Sequence, residues 1–150
     1  MPSFQTILVP TDFSDDAEAA LREAVELAKA TGGRIHLLHV YHFPAYVSAS
    51  PELPYAIPAE VYDDIRQHAA ARAQEVEKRV QADGVPAKSE IVEGPPSERI
   101  VACAERENAD LIVMGTRGLT GLRHVFLGSV AERTLRHATC PVMTVRASAS

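Results

Sequence analysis

Residues 109–129 read "ADLIVMGTRGLTGLRHVFLGS", and this stretch decides how the chain is organised. Its first seven residues are almost wholly apolar and stop at a glycine. Four glycines then occupy the sixteen positions from Met114 to Ser129, and a Gly-Ser pair opens a segment with helical spacing. An apolar run of that length, closed by a turn residue, is the mark of a strand buried on both faces. A strand that exits into a glycine loop and returns as a helix is one half of a β-α-β unit.

The same grammar extends in both directions. "FQTILVP" (4–10) is a short buried strand ended by proline, and Ser14 is placed to cap the helix that follows. In that helix Ala17, Ala20, Leu21, Ala24, Val25 and Ala28 form one apolar face, and "TGG" (31–33) supplies a left-handed stop. "RIHLLHV" (34–40) reads as a second strand. A second helix is expected from about Pro58 to Asp83, with Val61, Ile65, Ala69, Ala73, Val76 and Val80 turned inward. "AKSEIVEG" (87–94) alternates as an edge strand does. "PPSERIVACAEREN" (95–108) opens with prolines suited to a first helical turn and closes on Asn108, a permissible left-handed cap. After the fourth strand, a helix from Ser129 to about His137 precedes a last strand in "PVMTVR" (141–146), and the tail 147–150 is expected to fray. Strands alternating with helices imply one α/β domain over residues 1–150, a parallel sheet with helices on both faces.

Composition narrows the function. Apolar residues make up 46% and charged residues 23% of the chain, as in ordinary globular proteins. No apolar run approaches the ~20 residues of a membrane span and no charged leader precedes an apolar segment, so the expectation is a cytoplasmic protein without a membrane partner. A net charge of −5 disfavours nucleic acid as a partner. The charge is uneven, +4 from Leu111 onward and −9 before it, which suits focusing a small anion. A chance cluster of solvated arginines is the alternative reading. Cys103 and Cys140 have neither CxxC nor zinc spacing and read as small, reduced, buried hydrophobes. His36, His39 and His42 recur every three residues, but a strand sends His36 and His39 to opposite faces, so no metal site is expected from them.

Two phosphate motifs are excluded by the letters. The dinucleotide fingerprint GxGxxG belongs at the first strand-to-helix turn, and "VPTDFSDDA" (9–17) holds no glycine. A Walker loop needs Gly-Lys, which the chain lacks. What stands instead is Gly115-x2-Gly118-x9-Gly128-Ser129. Bare glycine backbone at a strand exit, followed by a helix N-terminus with unpaired N–H groups, is a workable anion cradle. Arg117, Arg123 and His124 could add charge-assisted bonds. The competing reading is an ordinary loop, with Ser129 and Glu132 of "SVAE" forming a capping box for their own helix.

That spacing matches in full the nucleotide-binding pattern of the ATP-binding branch of the universal stress protein family. "ILVPTDFSDDA" (7–17), "LLHV" (37–40), "ADLIVMGTRG" (109–118) and "CPVMTVR" (140–146) resemble the family's first, second, fourth and fifth strands with their turns. The resemblance covers nearly the whole chain apart from residues 42–57 and the tail. It implies a Rossmann-like, adenine nucleotide α hydrolase-like fold, with five parallel strands in the order 3-2-1-4-5. It places Pro10, Thr11 and Asp12 beside the adenosine, with Asp12 suited to the ribose hydroxyls. Val40 would face the adenine with Met114 close by. Gly115, Gly118, Gly128, Ser129 and Val130 would surround the phosphates of ATP, with or without Mg2+. Arg117 lies outside the motif and is added on charge alone. No nucleophile–base pair is legible, so binding with slow or no hydrolysis, in a regulatory role, is expected. The alternatives are a slow ATPase or an interaction module that binds no nucleotide. The family also implies a homodimer formed through the last strand, about 141–146, which would cover an otherwise open edge. The proline-rich segment 42–57, with Phe43, Tyr46 and Tyr55, could close over a ligand, meet a partner subunit or remain a surface loop.

Overall fold

The computed structural model describes residues 3–42, 58–118 and 126–148. Five strands and four helices alternate: β1 (Thr6–Pro10), α1 (Asp15–Thr31), β2 (Arg34–Tyr41), α2 (Ala59–Ala82), β3 (Ala87–Glu93), α3 (Pro96–Arg106), β4 (Leu111–Gly115), α4 (Ser129–His137) and β5 (Val142–Val145). All pairings are parallel, in the order β3-β2-β1-β4-β5. The expected order and the edge position of β3 are therefore found.

Period-two alternation divides the core between the two faces of the sheet. Ile7 and Val9 of β1, Ile35 and Leu37 of β2, and Leu111 and Val113 of β4 pack with Ala20, Leu21, Ala24 and Val25 of α1 and Ala73 and Val80 of α2. Leu8, Leu38, Ile112 and Met114 face the other way, against Ile100, Cys103 and Ala104 of α3 and Ala131 of α4. All five residues of β1 are buried, as a central strand covered on both faces must be. His36 joins the α3 side, bonded to Glu90, whereas His39 lies on the α1 side against Phe13, so the two histidines do point apart.

Local signals act as expected at several ends. Ser14 Oγ accepts from Ala17 N at 3.2 Å, and α1 stops at Gly32 with φ +71°. Asn108 takes φ +50° beyond α3. Both cysteines are free thiols; Cys103 is buried as expected, whereas Cys140, expected to be buried, is only half-buried.

Three expectations change. The first and fourth strands begin at Thr6 and Leu111, two residues later than read, because Gln5 N and Thr6 N both bond the Asp110 carboxylate. In α2, Ala69, Ala73 and Val80 are buried, but Val61 and Ile65 are 41% and 40% exposed. At 24 residues the helix is about 36 Å long, whereas β3 with seven residues spans about 23 Å, so its first turns overrun the sheet. At α4 the N-cap is Gly128; Ser129 is already the first helical residue, and no side chain caps the helix. Glu132 bonds Arg136 instead at 2.9 Å. The capping-box reading of Ser129 is thereby removed. Arg123, His124 and residues 43–57 lie outside the described residues.

Candidate functional site

β1 and β4 are neighbours whose connections leave in opposite directions along the sheet, α1 to one face and α4 to the other. A crevice outside the carboxyl ends of the strands opens at such a reversal. Here it is a cavity of about 850 Å³. β1 and its turn contribute Pro10, Thr11 and Asp12; the end of β2 contributes Val40; the exit of β4 contributes Met114, Gly115, Arg117 and Gly118; the start of α4 contributes Gly128, Ser129 and Val130. These eleven residues, each named from the sequence, line one crevice, whereas Arg123 and His124 lie outside the described residues. Ala17, Leu38, His42, Pro96 and Ile100 complete it. Leu38 was within reach of the sequence, because it shares the face of Val40 two residues on. Pro96 and Ile100 were not, since nothing local says that α3 begins beside the crevice.

The β1–α1 turn is held at several points. Thr11 N donates to Leu38 O at 2.8 Å, Phe13 N to Thr11 Oγ1 at 3.0 Å, and Ser14 N to Asp12 Oδ1 at 3.0 Å. Phe13 sits at φ +65°, a costly conformation for a bulky residue. Its ring is clamped between the Arg72 guanidinium, 4.1 Å from the ring centre, and the His39 ring at 4.7 Å. His39 Nδ1 in turn donates to Thr11 O at 2.8 Å. Packing from α2 and β2 therefore fixes the turn that aims Asp12 into the crevice.

The glycines prove to have different jobs. A Cβ at Gly115 would lie 2.8 Å from Asp16 Cβ and 3.0 Å from Ala17 N, so this glycine lets α1 pack against the end of β4. A Cβ at Gly128 would lie 3.0 Å from Thr116 O, the carbonyl that accepts from Gly128 N and ties the two ends of the loop together. Of these three described glycines, Gly118 is the one where a Cβ would meet a polar side chain of the crevice, 2.7 Å from Asp12 Oδ2. The first N–H groups of α4, uncapped, open beside these residues.

Arg117 lines the crevice, yet its guanidinium is engaged: Nε lies 3.2 Å from Asp16 Oδ2. Asp16, 4% exposed, also accepts from Thr116 Oγ1 at 3.0 Å, Arg117 N at 3.2 Å and Ala147 N at 2.9 Å. Burial alone would push its carboxyl up, but the bonds from Arg117, Ala147 and Thr116 and the guanidinium charge outweigh that and hold it below the usual carboxylate range.

Fold and crevice together define an open parallel α/β domain with its cleft at the switch point. The chain belongs to the universal stress protein family, whose model matches residues 3–146. Universal stress protein MJ0531 of Methanocaldococcus jannaschii is 36% identical over 143 residues, covering 95% of this chain and 82% of the relative. The solved structure of MJ0577, from the same organism, superposes with a TM-score of 0.85 at 32% identity and covers 99% of both chains. A universal stress protein solved in complex with cAMP gives 0.68 at 28% identity, over 97% of this chain and 99% of that one.

Proposed function

We propose that the crevice binds an adenine nucleotide, ATP in the first instance, and that occupancy serves a regulatory role in the stress response without rapid hydrolysis. One observation carries the reading: the β1 turn, the exit of β4 and the uncapped start of α4 converge on a single cavity large enough for a nucleotide. Asp12 would accept from the ribose hydroxyls, with Pro10 and Thr11 alongside. Val40 and Met114 would flank the base. The N–H groups around Gly118, Gly128, Ser129 and Val130 would face the phosphates, where the helix dipole favours negative charge. Arg117 joins them only by releasing Asp16. A relative of 28% identity solved with cAMP supports the adenine assignment. Among the described lining residues Asp12 is the one carboxylate, so Mg2+ would be held mainly by phosphate oxygens and water.

The proposal includes a homodimer through β5, which among the described residues pairs with β4 alone and leaves Met143 37% exposed at the sheet edge.

The decisive experiment is to denature purified protein and assay the supernatant for adenine nucleotide by mass spectrometry, alongside calorimetric titration of the emptied protein with ATP. Stoichiometric nucleotide, or saturable ATP binding lost in Asp12→Ala, is the expected result. An empty protein with no heat of ATP binding defeats the reading.

A further inference from the structure

A second constellation lies on the α3 face of the sheet, away from the crevice. β2 and β3 run parallel with Leu38 opposite Glu90, which puts His36 and Glu90 diagonally on the same face. α3 crosses that face and lowers Cys103 onto them. His36 Nε2 is 2.8 Å from Glu90 Oε2, and Cys103 Sγ is 3.9 Å from the same oxygen. One donor atom from each residue falls within 4.8 Å of the other two. His36 and Cys103 are 7% and 2% exposed, so both are fixed by packing rather than waving in solvent.

We propose that His36, Glu90 and Cys103 form a binding site for a zinc-class divalent metal ion, with Arg106 as the cation that the metal displaces. An imidazole, a carboxylate and a thiolate are the mixed N/O/S set that suits zinc, and three protein ligands leave a fourth position for water. Zinc bond lengths of about 2.0–2.3 Å require tetrahedral ligands to stand roughly 3.3–3.7 Å apart. The two separations to Glu90 Oε2, 2.8 and 3.9 Å, bracket that range, and the His36–Cys103 pair lies within 4.8 Å, so side-chain adjustment alone brings the three donors together.

Arg106 marks where a cation belongs. Its Nη2 contacts Glu90 Oε2 and lies 3.3 Å from Cys103 Sγ, two of the three donor atoms. The guanidinium sits at the surface: the side chain is 52% exposed, and its Nε already bonds Glu107 Oε1 at 3.3 Å, an anchor it keeps when Nη2 leaves the donors. On metal binding, Arg106 swings toward Glu107, Cys103 releases its thiol proton to solvent, and His36 gives up the Nε2 proton that it donates to Glu90, keeping or taking its ring proton on Nδ1, so that neutral imidazole Nε2 and a Glu90 oxygen both turn to the ion. The ion then cross-links β2, β3 and α3. None of the three ligands lines the nucleotide crevice, so the site stands whether or not the nucleotide reading holds.

The test uses Co2+ as the spectroscopic probe on chelator-treated, full-length protein. A thiolate-to-cobalt charge-transfer band should appear on titration and be displaced by added Zn2+. It should vanish in Cys103→Ser, persist in Cys140→Ser, and saturate at lower Co2+ in Arg106→Ala, where the competing cation is gone. Should Cys103→Ser fail to fold, His36→Gln keeps the side-chain volume and is expected to weaken Co2+ binding by at least about tenfold, a loss known even for groups behind the ligands. A wild-type spectrum without the band overturns the site, as do a band that survives Cys103→Ser and unchanged affinity in His36→Gln.

Discussion

Asp16 Oδ2 accepts from Arg117 Nε at 3.2 Å across 101 residues of sequence, and through this pair the first turn of α1 grips the start of the glycine loop. The other oxygen of the same carboxylate accepts from Ala147 N at 2.9 Å, just beyond β5. One buried acid therefore ties together α1, the exit of β4 and the segment following the edge strand.

Removing that acid should be expensive. Asp16→Ala strands the Thr116 hydroxyl, two backbone N–H groups and a largely buried guanidinium, and we expect a loss of about 3 kcal/mol in urea unfolding. Asp16→Asn, which keeps one acceptor oxygen, should lose less. Equal, negligible losses in the two variants would show that the network contributes nothing.

The pH dependence follows from the same group. The folded carboxyl titrates below its ordinary value, so between the two pKa values the unfolded chain binds more protons than the folded one. The stabilisation is present above the unfolded pKa of about 3.9 and is lost as pH falls through the lower, folded value. Stability measured from pH 6 downward should therefore decline more steeply in the wild type than in Asp16→Asn, with the difference confined to the region below about pH 4.

Gly115 and Gly118 should separate stability from binding. Gly115→Ala drives a methyl into the backbone of α1 and should cost about 1–3 kcal/mol in chemical denaturation. In Gly118→Ala the added Cβ would meet only the Asp12 carboxylate among the described residues, 2.7 Å from Oδ2, a side-chain tip rather than main chain, so the fold should survive with a near-native melting temperature. Its affinity for ATP, measured by calorimetry, should fall by at least about tenfold, or 1.4 kcal/mol, because the displaced carboxylate no longer faces the ribose.

Charge at the open edge tests self-association. Met143→Lys places an ammonium where an antiparallel partner strand would lie and should convert a dimer to a monomer by light scattering, with circular dichroism unchanged. A wild-type monomer at micromolar concentration would remove the dimer from the account.

Element types were legible from local signals, namely apolar runs and helical spacing, and the glycines of the crevice from a pattern with fixed gaps; the strand order and the places of Pro10, Thr11, Asp12, Val40 and Met114 came from the family resemblance. What stayed hidden depends on contacts between distant parts of the chain. Asp15 and Asp16 are indistinguishable in the sequence, two acids suited to a helix start, yet one is exposed and the other is buried under the glycine loop. Arg117 read as a free cation because its partner lies 101 residues away. The helical period marked Val61 and Ile65 as inward, but period says nothing of how far the sheet extends beneath a helix. His36 was rightly separated from His39, whereas its actual neighbours, Glu90 and Cys103, come from two other elements.

The close approach of Gly115 to α1 bears on how the motif should be traced through descendants of this fold. A lineage that abandoned its ligand would still be obliged to keep glycine at 115, since a methyl there collides with main chain, whereas 118 would be released to drift. Surveys for retained binding should therefore weigh the second glycine above the first.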